Sequence, residues 1–103
     1  MVLEIQERLG IMGLLGQEGS LAFLKAKRDI VSKVGLSADE LEEFEIVEKD
    51  GKVGWNPEKA KTKEIEFTGG EVTVIVNALK ELEKEEKLQE HQLSLYEKFV
   101  EGG

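Results

Sequence analysis

The sequence predicts an α+β domain: a helical bundle with a small antiparallel, hairpin-centred sheet, its elements in the order α-α-α-β-β-β-α-α. Three observations carry that prediction. An apolar-periodic stretch stops at Gly35 and is flanked by Ser20 and Ser37, both placed to cap helices. Asp50-Gly51 lies between apolar residues, a strong hairpin signal because both turn positions need positive φ. Val72, Ile75, Val76, Leu79 and Leu82 keep one helical face, although the β-branched run Val72–Val76 by propensity alone reads as strand.

The first helix spans 3–15, with Ile5, Leu9 and Met12 on one face and Leu3, Leu14 and Leu15 extending it. Gly10, Gly13 and Gly16 recur every three residues. They read either as a smooth ridge for another helix or as a weak helix that ends early, since each interior glycine costs about 1 kcal/mol against alanine. Gly16-Gln17-Glu18-Gly19 is a turn, with no Gly-Lys-Ser/Thr to make it a phosphate loop.

Ser20 caps a second helix running to about Val34, and Gly35 stands where a helix stop wants a left-handed residue. Ser37 and Glu40 have capping-box spacing for a short third helix, with Leu41 and Phe44 expected inward. The hairpin follows, with Ile46 or Val47 opposite Val53 or Trp55, and Asn56-Pro57 ends it. After a polar connector, Glu64-Ile65-Glu66-Phe67 alternates as a third, half-exposed strand. Thr68 and Glu71 repeat the capping-box spacing and open a helix over about 70–87. A short connection leads to a last helix ending near Val100, its stripe formed by Leu95, Tyr96, Phe99 and Val100.

The 103 residues make one domain, 1–103, with room for one core. Apolar residues at 40% and charged residues at 35% fit a soluble globular chain rather than a disordered one. There is no cysteine, which removes disulfides, thiolate metal sites and cysteine nucleophiles and is compatible with a reducing cytoplasm. The first residues lack the basic start of a secretory signal, and no segment has the roughly 18 apolar residues of a membrane span.

The net charge of -8 is unevenly spread. Lys25, Lys27, Arg28 and Lys33 outweigh Asp29 over residues 20–34, a local +3. Asp39, Glu40, Glu42, Glu43, Glu45, Glu48 and Asp50 outweigh Lys49 over residues 37–50, a local -6. The plain reading of such runs is solvated surface. The functional reading makes Asp39, Glu40, Glu42 and Glu43, with the single tryptophan Trp55 as anchor, an interaction surface. Trp55 also reads simply as a lid over the helices.

Catalytic, cofactor and metal sites are not predicted. One histidine, His91, cannot build a zinc site from protein ligands and has no orienting partner in sequence for general-base work. Lys49 and Lys52 stand where a calcium loop needs oxygen ligands. The serines lack nucleophile-elbow spacing, and Ser20 and Ser37 are accounted for as caps.

Val31, Gly35, Leu36, Ser37 and Leu41 have helix-turn-helix spacing, and the hairpin follows where a wing would lie, so residues 20–67 resemble a winged-helix domain. The chemistry argues against DNA as ligand: a recognition helix offers Arg, Lys, Asn or Gln to base edges, whereas this one offers Asp39, Glu40, Glu42 and Glu43. Those carboxylates, with the Glu81–Glu90 region, could instead imitate a phosphate row.

A broader resemblance rests on Glu7-Arg8-Leu9, Glu18-Gly19-Ser20 and Gly54-Trp55-Asn56-Pro57-Glu58-Lys59. It continues through Lys63-Glu64-Ile65-Glu66-Phe67 and Leu93-Ser94-Leu95-Tyr96-Glu97-Lys98-Phe99. Together these resemble a family of small uncharacterised bacteriophage and prophage proteins. The resemblance brings no assigned activity; taken with the composition and the absence of site motifs, the expectation is a cytoplasmic protein of the bacterial host cell, without cofactor, that binds a phage or host protein and not a membrane. It transfers no residue roles. The alternative is a nucleic-acid-related regulator, either a winged-helix reader or an acidic DNA mimic. A homo-oligomer stays open, with the glycine ridge and C-terminal helix as available faces.

Overall fold

The structure, a computed structural model, describes residues 1–102. The chain is α+β, with strands β1 (Val2–Leu3), β2 (Val47–Lys49), β3 (Lys52–Gly54) and β4 (Lys63–Glu64). Its helices are α1 (Ile5–Leu14), α2 (Leu21–Val34), α3 (Ala38–Glu43), α4 (Gly69–Lys84) and α5 (Leu93–Tyr96). A 3-10 turn over Glu90–Gln92 precedes α5, and a π turn over Glu97–Glu101 continues it.

The strands do not form one hairpin-centred sheet. β2 pairs with β3, and β1, whose Leu3 was expected to begin the first helix, pairs with β4. The β1–β4 register sets Val2 opposite Glu64 and Leu3 opposite Lys63. This pairing clamps the chain's start to the segment before α4 and sends Leu3 and Ile65 into the core. In the hairpin, Val47 faces Gly54 and Lys49 faces Lys52 across the Asp50-Gly51 turn, whose φ values of 54° and 75° are those the pair was expected to adopt.

The core joins Leu3, Ile11 and Leu15 to Ile30 and Val34 of α2, to Ile65 just after β4, to Ile75 and Leu79 of α4, and to Leu95 and Phe99 near the C-terminus. Helix wins over strand at 72–76 because Ile75 and Leu79 then reach this core together while Thr73 and Asn77 face water. Helix α1 is rotated from its expected face: Ile5, Arg8 and Ile11 point inward, whereas Met12 is exposed. Of the glycines on α1, Gly10 faces Leu95, where an added Cβ would lie 3.2 Å from Cδ1, and Gly13 faces open space.

Two helix stops differ from expectation. Gly35 is extended (φ -60°, ψ 151°) rather than left-handed; it is needed because a Cβ there would sit 2.8 Å from the Val31 carbonyl oxygen. The left-handed stops fall on glutamates instead, Glu45 after α3 and Glu86 after α4. In each, the following amide reaches back to close the helix, Ile46 to Leu41 and Lys87 to Leu82. A non-glycine residue is strained there, so Glu86→Gly is expected to stabilise the fold by about 0.5 kcal/mol, net of glycine's greater unfolded freedom. A urea midpoint that falls instead would contradict the strain argument.

Candidate functional site

The predicted acidic surface divides into residues held by the fold and residues facing solvent. Asp39 and Glu42 are exposed on α3. Glu43 pairs with Lys61 at 2.7 Å, and that carboxylate pushes the Lys61 ammonium above its ordinary value. Glu40 turns toward the body, where Arg8 Nη1 and Nη2 donate to its two oxygens at 2.7 and 2.9 Å. Phe44 is buried as expected, but Leu41 is exposed, because six residues of helix bring only one turn against the body.

Arg8 is the residue the sequence reading missed. Its guanidinium is fully buried, and it spends its remaining donors on the end of α2, giving Nε to the Val34 carbonyl (2.9 Å) and Nη2 to the Gly35 carbonyl (2.8 Å). One side chain thus satisfies two carbonyls that a helix end leaves free and locks α3 by a two-pronged ion pair. These hydrogen bonds hold the Glu40 carboxyl down at about 2.

The same construction recurs at two other helix starts. Burial pushes the Glu71 carboxyl up, but the Lys33 ammonium and the Thr68 backbone amide more than offset it and leave it below its ordinary value. Lys33 Nζ also lies 5.9 Å from the Phe67 ring centre. Glu7, buried at the start of α1, accepts from the Glu4 amide (2.9 Å) and from Lys98 Nζ (2.7 Å); its other oxygen is buried without a partner. In all three the glutamate at the third helical position both caps its own helix and receives a cation from a distant one.

Trp55 is half-buried between two shallow grooves that share Gln6. The larger, about 530 Å³, runs over Gly10 and Gly13 of α1 toward His91. Asn56 holds the strand end beside it, donating Nδ2 to Glu45 and accepting the Glu58 amide on Oδ1. That bond and Lys59 keep the Glu45 carboxyl below its ordinary value.

The hairpin is the other open element. Every residue of β2 and β3 is exposed, and adjacent ladder pairs put Val47 on one face and Val53 on the other. The sequence left the register open, with Ile46 or Val47 opposite Val53 or Trp55; in the structure Val47 pairs with Gly54 and Val53 with Glu48. Among the described residues no cluster of three or more His, Asp or Glu side chains could hold a metal ion. Among the same residues no helix is long and apolar enough to cross a membrane. No protein family, characterised protein or solved structure significantly matches the chain.

Proposed function

We propose that this is a non-enzymatic protein-binding module of the bacteriophage or prophage type, acting in the bacterial cytoplasm, with α3 and the β2–β3 hairpin as its contact surface. The carrying observation is a two-stranded hairpin with a valine exposed on each face, Val47 at 60% and Val53 at 42%. Such a ribbon is marginal in water by itself. Apolar side chains set in a polar rim mark interaction surfaces, and here the exposed charges are mixed: Asp39 and Glu42 on α3, Glu48 with Lys49 and Lys52 on the hairpin, and Glu43 already paired with Lys61. The partner surface is therefore apolar at its centre and carries both charges at its edge. Trp55 at the hairpin's base supplies an aromatic anchor. Glu40 contributes by fixing α3 rather than by contact, since Arg8 holds both its oxygens.

Affinity capture of the tagged protein from host lysate, with and without nuclease, tests this reading. The expected result is a stoichiometric protein that survives nuclease and is lost with Val47→Asp/Val53→Asp and with Asp39→Lys/Glu42→Lys. Partners released by nuclease would replace the reading with its alternative, a nucleic-acid-related regulator. A partner retained by both variants would remove this surface from the function.

A further inference from the structure

We propose that the chain forms a two-fold symmetric dimer in which α2 of each copy docks into the groove between α2 and α4 of the other. This proposal is independent of the hairpin surface. The groove has a volume of about 840 Å³. Its floor is made of small or short side chains, Ala22 and Ala26 of α2 with Val74 and Ala78 of α4. Small residues let a further helix approach closely. Its open rim carries Glu81 and Asp29, the latter in a loose, exposed 3.7 Å contact with Arg28 of its own helix, while the third acid at the groove, Glu71, is already paired with Lys33. No lysine or arginine lines it.

The matching surface lies on the same helix. Leu21 is 70% exposed and Leu24 40%, the first among the most exposed large apolar residues of the chain. Lys25 and Arg28 stand exposed beside them. The outer face of α2 is therefore apolar and basic, and the groove it adjoins is apolar and acidic. Leu21 supplies the knob, Ala22, Ala26 and Ala78 supply the hole, and Lys25, on the α2 face between Leu21 and Asp29, meets Glu81 of the second copy.

Symmetry favours closure over a filament. A knob and a hole on different parts of a molecule give an open, head-to-tail chain, whereas a self-complementary patch gives a closed pair. Here the knob and the near wall of the groove, Ala22, Ala26 and Asp29, adjoin one another on α2, a helix of 14 residues and about 21 Å. A two-fold axis passing beside it satisfies both grooves at once. The occupant is therefore a second copy of this chain rather than a basic helix of another protein.

Sedimentation equilibrium from about 1 µM to about 1 mM tests the proposal, with a dimer of micromolar dissociation constant expected. Leu21→Asp removes a knob and Ala22→Arg fills the groove; both sites are exposed, so the fold should survive, as circular dichroism would verify. Each is expected to raise the dissociation constant at least about tenfold. Val53→Asp, on the hairpin, should leave it unchanged. A wild-type monomer throughout the range would overturn the proposal and assign the groove to another occupant. A dimer insensitive to both α2 variants, or dissociated by Val53→Asp, would overturn it as well by placing the interface elsewhere.

Discussion

Arg8→Ala is expected to destabilise the protein by about 3–5 kcal/mol, the cost of removing one member of a buried ion pair and leaving the other. The substitution strands Glu40 and uncovers the Val34 and Gly35 carbonyls together. Small domains are stable by only about 5–15 kcal/mol, so this single change should lower the urea midpoint severely at neutral pH. The gap between wild type and variant should also depend on pH. Glu40's folded pKa is lowered from 4.5 to about 2. A depressed carboxylate contributes stability above its unfolded pKa and loses it as pH falls through the folded one. The advantage of the wild type is thus complete above about pH 4.5 and shrinks toward pH 2; the shift corresponds to at most about 3 kcal/mol. Glu71, lowered in the same direction, adds to the wild type's acid sensitivity. Urea titrations at neutral and acid pH measure both parts. A gap below about 1 kcal/mol at neutral pH, or one that does not narrow in acid, would show that the pair does not hold α3.

Phe99→Ala should cost a similar amount, about 3–5 kcal/mol, through lost burial and the cavity left behind. Phe99 is 2% exposed and meets Phe67 edge to face, with ring centres 5.6 Å apart. It belongs to the π turn that carries the chain's end against α4. A double-mutant cycle with Phe67→Ala should return a coupling of about 0.5–1.5 kcal/mol for the ring pair beyond its area. A loss under about 1 kcal/mol for Phe99→Ala would mean that the C-terminal turn is peripheral rather than core.

What could be read in the sequence was what neighbours in the chain decide. The Ser37–Glu40 and Thr68–Glu71 boxes, the Asp50-Gly51 turn and the helix through Val72–Leu82 each depend on residues within a few positions, and each is present. What escaped depends on partners far along the chain. Val2–Leu3 is a strand only because Lys63–Glu64 lies beside it. Arg8 turns inward only because the end of α2 and the start of α3 converge on it, and that choice rotates Met12 out to solvent. Leu41 looked like core by spacing and is not: α3 ends at Glu43, and Phe44, just beyond it, is the residue that reaches the interior. For the contact surface, the acids of α3 were legible as charge, but the division of labour between Glu40 and its neighbours needed the position of Arg8. The exposed valines needed the strand register, which puts Val47 and Val53 on opposite faces of a ribbon that leaves both of them exposed.

The glutamates at the three helix starts carry a consequence for how the molecule comes apart. A helix end usually frays independently of the rest of a protein. Glu7, Glu40 and Glu71 forbid that, because releasing the backbone amide each one holds also loosens a cation anchored on another helix. Opening at one terminus is then charged against interhelical packing, and local unfolding merges into the global event. The amides of Glu4, Ser37 and Thr68, at positions where deuterium ordinarily enters fast, should exchange on the slow timescale of the core.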